Sequence, residues 1–397
     1  MANFFNSVRI TNFKSLKDVT LSDCKRINLL IGKPNVGKSN ILEAIGLFSL
    51  PYFKYNPDKK LTHFVRVESF VELFFDSNFQ NDQICIETDN DECTARFYDE
   101  PGQSPFVRFK IRTDLNADNN EISIKLDNQL NLKSDNSYLP EDKEFAEIYF
   151  NEKGEGVKNR ITGLDHDSAD KRALESIDRQ LSELMALRND IVKEYYPNPK
   201  VKIYKFPHEL QINNKIIERF YLIPPSGINL LDAIQENKIE KDLAKLFSAY
   251  GLNLLLDKTS NTLRIMKTLK DGNSMLSFPY SSIADTLQRI IFFKTAIGSN
   301  KNSILLFEEP EAHCFPPYIR QITQDIIDSE TNQFFIATHS PYVLNDFLEY
   351  ERNDVAIFIA NFKNGETVIR RLTDEEVNDV YQYGIDLFFN HELFTDD

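Results

Sequence analysis

The chain has 397 residues, of which 41% are hydrophobic, and a formal net charge of −15. That apolar content suffices for one large domain or two ordinary ones, and the acidity excludes a general polyanion binder, so any nucleic-acid contact has to come from a local basic face or a partner. Four cysteines (Cys24, Cys85, Cys93, Cys314) show no C-x-x-C pair and no His at metal spacing, which argues against a disulfide framework or a zinc site; with no basic n-region and no run near 18 apolar residues, the expectation is a cytoplasmic protein without a membrane span.

Val8, Ile10 and Phe13, then Leu16, Val19 and Leu21, alternate with polar residues and predict a hairpin of half-buried strands. Ile27-Asn-Leu-Leu-Ile31 reads as a buried strand and Gly32-Lys33-Pro34-Asn35-Val36-Gly37-Lys38-Ser39 as a loop. The helix that follows carries Ile41, Leu42 and Ile45 on one face. The loop has G-x-x-x-x-G-K-S spacing in a strand–loop–helix context. Glycines let such a backbone wrap a polyphosphate with its N–H groups inward, and the helix start at Lys38 adds roughly half a positive charge. Lys38 would reach the β/γ phosphates and the Ser39 hydroxyl would ligate Mg²⁺. The chain is therefore expected to bind a nucleoside triphosphate.

Phe70-Val-Glu-Leu-Phe-Phe75, Ile84-Cys-Ile86, Ala95-Arg-Phe-Tyr98, Phe106 to Ile111 and Ile122 to Leu126 predict the short strands of an antiparallel subsheet. From about Asp165 to Tyr195, apolar residues recur at three- and four-residue steps (Leu174, Ile177, Leu181, Leu184, Ile191) until Pro197 and Pro199. This is an amphipathic helix, either a short coiled-coil-like arm or a helix packed on the sheet. A helix from Leu231 to about Tyr250 follows, then strands at Leu252–Leu256 and Leu263–Met266 and a turn at Asp271-Gly272. Ser281 and Ser282 are N-cap candidates for the next, apolar helix. Ile304–Phe307, a helix around Tyr318 to Ile327 and Gln333–Ala337 have the strand–helix–strand order of a parallel sheet. A last hairpin, Val355–Ala360 and Thr367–Ile369, precedes a helical tail.

Ile304-Leu-Leu-Phe307-Glu308-Glu309-Pro310 is a buried strand ending in two carboxylates, at the end where open α/β sheets bind ligands. Glu308 would support Mg²⁺, directly or through water, and Glu309 would orient or deprotonate the attacking water. Phe335-Ile-Ala-Thr338-His339 repeats this logic, with His339 placed to hydrogen-bond the γ-phosphate or the catalytic water. The GTPase alternative finds only a formal D-x-x-G at Asp99-Glu-Pro-Gly102. Asn237-Lys238-Ile239-Glu240 has Glu for the expected Asp and lies in a charged helix pattern rather than at the end of a buried strand.

Four segments, in this order, resemble the ABC-type ATPases of the SMC/RecF/OLD group. They are Val8-Arg-Ile-Thr-Asn12-Phe13-Lys14-Ser15-Leu16, the loop continued by Asn40-Ile-Leu-Glu43-Ala44, Glu308-Glu309-Pro310-Glu311-Ala312-His313, and Ala337-Thr338-His339-Ser340-Pro341. The resemblance implies an α/β ABC-type P-loop NTPase with a mixed or parallel core sheet, an antiparallel β-subdomain and a helical insertion. It implies ATP and Mg²⁺ as ligands, with the nucleotide sandwiched in a head-to-tail homo-oligomer. Gly32 to Asn40 and Lys14 would contact nucleotide, Ser39 and Glu308 the metal, and Ser281 and Ser282 would come from the opposite subunit. Glu309 and His339 would be catalytic. The chain departs from the group in having Ile283-Ala284 where a Gly-Gly or Ser-Gly pair is usual, Glu308 where many relatives have Asp, and His313-Cys314-Phe315-Pro316 for His-Leu-His-Pro. About 58 residues follow His339, too few for the TOPRIM nuclease domain of OLD nucleases.

The expected division is an N-terminal lobe over 1–150, a helical insertion with return strands over 151–275, and a C-terminal lobe over 276–397. The functional expectation is an ATPase subunit that assembles with nucleotide and controls a separate effector protein, a nuclease or toxin, with DNA or a phage protein as trigger. It is similar in this to the ATPase subunits of bacterial anti-phage systems such as PARIS, Septu and certain retrons. The alternative is a RecF/SMC-like repair or recombination ATPase that clamps DNA.

Overall fold

Apolar and polar residues alternate along β1 (Val8–Phe13) and β2 (Leu16–Leu21), which pair antiparallel with Val8 opposite Leu21. β3 (Ile27–Ile31) is buried at every position and α1 (Lys38–Gly46) follows it. β4 (Ile84–Thr88), β5 (Glu92–Tyr98), β6 (Phe106–Arg112) and β7 (Glu121–Asp127) extend the first hairpin into a six-stranded antiparallel sheet of order β2-β1-β4-β5-β6-β7. Then come β8 (Val201–Tyr204), α2 (Leu230–Glu236), α3 (Glu240–Ser248), and the strands β9 (Leu252–Asp257), β10 (Thr262–Thr268) and β11 (Met275–Pro279), which form a separate three-stranded sheet. α4 (Asp285–Gly298), β12 (Ile304–Glu308), α5 (Pro316–Ile327), β13 (Gln333–Ala337), α6 (Pro341–Tyr350), β14 (Val355–Lys363), β15 (Glu366–Arg371), α7 (Asp374–Tyr383) and α8 (Leu387–Asn390) complete the order. This computed structural model describes residues 4–55, 60–80, 82–99, 101, 105–113, 121–127, 200–207, 220–248, 251–257, 262–269 and 274–394. They belong to one compact unit made of 1–133 and 200–397, the second unit being 134–199.

The second six-stranded sheet, β15-β14-β3-β13-β12-β8, carries the core. Its strands run parallel except for the β14–β15 hairpin. A parallel strand covered on both faces needs apolar side chains on both, which is why Ile304–Phe307 of β12 and Phe334–Ala337 of β13 are apolar runs; the buried Asn28 interrupts β3 and is satisfied by donating to Lys25 O (2.7 Å) and Phe334 O (3.0 Å). Ile27, Leu29, Ile31, Phe307 and Ile336 share one cluster with Phe292 and Phe293 of α4, Ile322 of α5 and Phe347 of α6. α1 packs against β8, β12 and β13. Each such buried Ile, Leu or Phe contributes about 1.5–3 kcal/mol. Because β3, β13 and β12 are neighbours and parallel, Gly32, Thr338 and Glu309 leave the sheet along one edge.

The fold is the expected α/β P-loop architecture, with local corrections, and β8 at the edge of the core sheet is a strand for which the sequence analysis names no element. Phe70–Phe75 is not a strand. It forms two short 3₁₀ turns, Phe70–Leu73 and Phe75–Ser77, joined by a single bridge from Phe74 to Phe13. The Glu72 carboxylate accepts from the Glu68 N–H at 2.9 Å, a local bond that competes with strand pairing. The helix expected from Leu231 to Tyr250 is two helices, because the Asn237 amide donates to Ala233 O (2.8 Å) and Lys238 takes a φ of 56°. Ser281 and Ser282 do not cap α4; they lie in a 3₁₀ turn (Tyr280–Ser282), and Ala284 stands at the cap without a side-chain bond. β11 has no counterpart in the sequence reading: it is an edge strand exposed at every residue, so it shows no alternation of burial. The amphipathic helix expected over Asp165 to Tyr195 and the Asp271-Gly272 turn lie outside the described residues. Among those residues no helix is long and apolar enough to cross a membrane.

Candidate functional site

The loop between β3 and α1 lies flat on the β14–β15 hairpin, and its two glycines are what allow this. Gly32 (φ 153°) is so close to β14 that a Cβ would sit 2.2 Å from Ala360 O. At Gly37 (φ 100°) a Cβ would sit 2.1 Å from Thr367 Oγ1, inside a Ser15–Thr367 hydroxyl pair 2.6 Å apart. Gly37 is also the N-cap of α1, with no side-chain cap and no acid in the first turn. The N–H groups at this helix start thus have no capping side chain, and an anion suits them. Lys38 is 5% exposed, and its Nζ donates to Gly32 O (2.8 Å) and Lys33 O (2.7 Å) inside the loop. Burial lowers its pKa to about 8, against the attraction of Glu309 and Glu308, so the ammonium stays charged at neutral pH.

The neighbouring strand ends bring the acids and the histidine to this loop. Ser39 Oγ donates a short hydrogen bond to Glu308 Oε1, at the end of β12. Glu309 takes a φ of 43°, and its N–H donates to Ala337 O at 2.9 Å, so the acid turn is bound to the end of β13. His339 Nε2 stands 3.6 Å from Glu309 Oε1. Burial, then the charge of Lys38, lowers the His339 pKa below its usual 6.5, with Glu309 opposing; the imidazole is therefore neutral at pH 7, one nitrogen a donor and the other an acceptor.

The structure thus brings together Gly32, Gly37, Lys38, Ser39, Glu308, Glu309 and His339. Other expected contacts are engaged elsewhere. Lys33 pairs with Glu392 at 2.9 Å on the surface, and the Asn40 amide donates to Ser15 Oγ at 2.8 Å. Pro34 and Asn35 form the exposed tip of the loop, Asn35 with a φ of 62°, while Val36 is buried. Lys14 Nζ lies 2.5 Å from Glu43 Oε2 and donates to Arg66 O at 2.8 Å. Ser281 and Ser282 are exposed, and among the described residues neither hydrogen-bonds to the loop, Glu309 or His339.

Sequence reasoning gave no role to Glu43, Arg66, Lys205 or Glu311. Glu43 is 1% exposed and meets Lys14, Lys205 Nζ (2.9 Å) and Arg66 Nε (3.1 Å). Arg66 also reaches Glu308 Oε1 at 2.5 Å, so it ties the acid on α1 to the acid on β12. A charged residue on the buried face shared by Ile41, Leu42 and Ile45 was the available signal for Glu43. Arg66 and Lys205 carry no such spacing.

A phosphate loop after the central parallel strand, acids after one strand and a histidine after the strand between them define a P-loop ATPase fold. The sequence matches over residues 27–345 the family described as "AAA domain, putative AbiEii toxin, Type IV TA system", and the chain belongs to that family. It is similar to an "ATP/GTP phosphatase" of Helicobacter pylori (strain ATCC 700392 / 26695), 22% identical over 356 residues that cover 84% of this chain and 85% of that protein. Among solved structures it is similar to an Smc head bound to the C-winged helix domain of ScpA (12% identity, TM-score 0.46, 95% of this chain and 99% of that one). The Smc head with an extended coiled coil bound to the C-terminal domain of ScpA, from Pyrococcus furiosus, gives 13% identity, TM-score 0.44 and 96% and 99% coverage.

Proposed function

We propose that the chain binds ATP with Mg²⁺ at this crevice, hydrolyses it, and assembles head to tail with a second copy when nucleotide is bound. That assembly would control a separate effector, a nuclease or toxin, in defence against phage, with DNA or a phage protein as trigger. The observation that supports the reading is the convergence of Lys38, Ser39, Glu308, Glu309 and His339, drawn from three strand ends, on one loop whose helix start is uncapped. The relative named as an ATP/GTP phosphatase and the toxin–antitoxin wording of the family description are compatible with it.

In this reading Lys38 and the α1 N–H groups hold the β- and γ-phosphates. Ser39 Oγ and Glu308 Oε1 are hard oxygens in contact with each other, a donor pair that fits Mg²⁺. Held by Ser39 and Glu308, such an ion would supply charge neutralisation for the reacting phosphate. Glu309, nearly half exposed, accepts a hydrogen bond from the attacking water, and neutral His339 donates to that water or to the γ-phosphate. Ser281 and Ser282, which face solvent, would reach the γ-phosphate of the partner copy.

The test is ATP turnover and assembly by the purified chain. Lys38→Ala should abolish nucleotide binding, whereas Glu309→Gln should bind ATP, lose at least about 100-fold in turnover and accumulate as the assembled form on a sizing column. Parent-rate hydrolysis by Glu309→Gln would remove Glu309 from its role. Salt-sensitive duplex-DNA affinity that rises with ATP would favour a DNA clamp over effector control.

A further inference from the structure

Glu311 is a buried carboxylate with no part in the steps above. It lies two residues beyond Glu309 in the turn after β12 and is 8% exposed. Its Oε1 accepts two hydrogen bonds from the segment that follows β13, one from Thr338 Oγ1 at 2.5 Å and one from the His339 N–H at 3.1 Å. Its Oε2 is buried without a partner among the described residues. Thr338 is fully buried, and its hydroxyl oxygen accepts from the Ser340 N–H at 3.0 Å, at the cap of α6. A single carboxylate oxygen therefore fixes the backbone on which the His339 imidazole is mounted, from the same turn that carries Glu309.

We propose that Glu311 is a positioning residue: by accepting from Thr338 and His339 it holds the His339 imidazole against Glu309, so that both face one water. The proposal rests on the reading of Glu309 and His339 as the hydrolytic pair. Purely structural glue would be a poor use of such a group, since a buried acid with one orphaned oxygen costs stability that an apolar side chain would not. What it supplies is direction. The two bonds converge on one oxygen from consecutive residues, so they fix both the position and the tilt of the 338–339 peptide. Displacement of a reacting group by about 1 Å lowers rates by up to 100-fold, so small losses of this registry are visible in turnover.

Glu311→Gln keeps an acceptor oxygen for both donors, and Glu311→Ala removes it. For ATP, Glu311→Ala should lose about tenfold or more in kcat, with KM and the affinity for a non-hydrolysable ATP analogue within about twofold of the parent, while Glu311→Gln stays within about threefold throughout. The imidazole signal of His339, assigned by its loss in His339→Gln, gives a second readout that needs no nucleotide. It should titrate below the ordinary histidine range in the parent and in Glu311→Gln, and move back up in Glu311→Ala as the ring gains solvent and leaves Lys38, which outweighs its loss of Glu309. If Glu311→Ala does not fold, Thr338→Val, which deletes one of the two donors at constant shape, should shift both readouts in the same direction by less. A kcat for Glu311→Ala within twofold of the parent, a change confined to KM, or an unmoved His339 titration would overturn the proposal. A parent that fails to bind ATP while the His339 shift occurs as expected would instead overturn the hydrolytic reading and leave the clamp standing.

Discussion

Replacing Glu43 by Gln tests the charge cluster behind the phosphate loop. The side chain keeps its size but loses the charge that Lys14, Lys205 and Arg66 surround. Burial alone would raise the Glu43 pKa; Lys205 and then Lys14 more than reverse this, and the group falls from 4.5 to about 2. That drop is worth at most about 3 kcal/mol. Lys14 pulls the other way, because burial lowers its own pKa despite Glu43, so the pair does not return all that its desolvation costs. We therefore expect Glu43→Gln to lose about 2–3 kcal/mol in urea unfolding at pH 7. Since the folded-state pKa lies below the unfolded one, this stabilisation is complete above pH 4.5 and disappears as pH falls toward 2. The gap between parent and variant should therefore close over the same range. A variant within 0.5 kcal/mol of the parent at pH 7 (about the scatter of an exposed site), or a gap that does not change with pH, would refute this account.

Gly37→Ala should lose about 2 kcal/mol and most nucleotide affinity, because the new methyl meets Thr367 Oγ1 in a positive-φ conformation; calorimetry with and without ATP measures both. Thr367→Ala in that background should recover part of the stability and leave the φ strain. Ser39→Ala should leave metal-free nucleotide binding within about threefold and weaken the Mg²⁺ dependence of binding, read by titrating Mg²⁺ against a fluorescent ATP analogue. Lys202 is 4% exposed and donates to Asn300 Oδ1 (2.5 Å) and Ser303 Oγ (3.1 Å), and burial lowers its pKa from 10.5 to about 7. The unfolded chain holds that proton over the interval between, so parent stability should rise from pH 7 toward 10.5; in Lys202→Met, urea midpoints at pH 7 and 9 should lack this component of the rise.

The strand–loop–helix at residues 27–46 was legible because its glycines, lysine and serine are contiguous and the apolar period changes from strand to helix at Gly32. The acids after β12 and the histidine after β13 were legible as strand ends, and their adjacency followed from parallel order. What stayed hidden acts across long separations. Lys205 and Arg66 meet Glu43 from 162 and 23 residues away, and neither lies on a periodic face. Glu311 could be read as part of an acidic run, but its carboxylate accepts from a backbone N–H and a hydroxyl 28 and 27 residues downstream, which no local pattern reveals. Local side-chain hydrogen bonds decided the Phe70 and Asn237 regions, where apolar composition suggested longer elements.

Ala360 O and the Thr367 hydroxyl form the floor beneath the phosphate loop, although they follow it by more than three hundred residues in the chain. During synthesis the glycine loop leaves the ribosome early and has nothing to lie on until the last hairpin emerges. Competence to capture nucleotide therefore arrives late, and a chain stopped before residue 360 should carry the full loop sequence without its grip on phosphate.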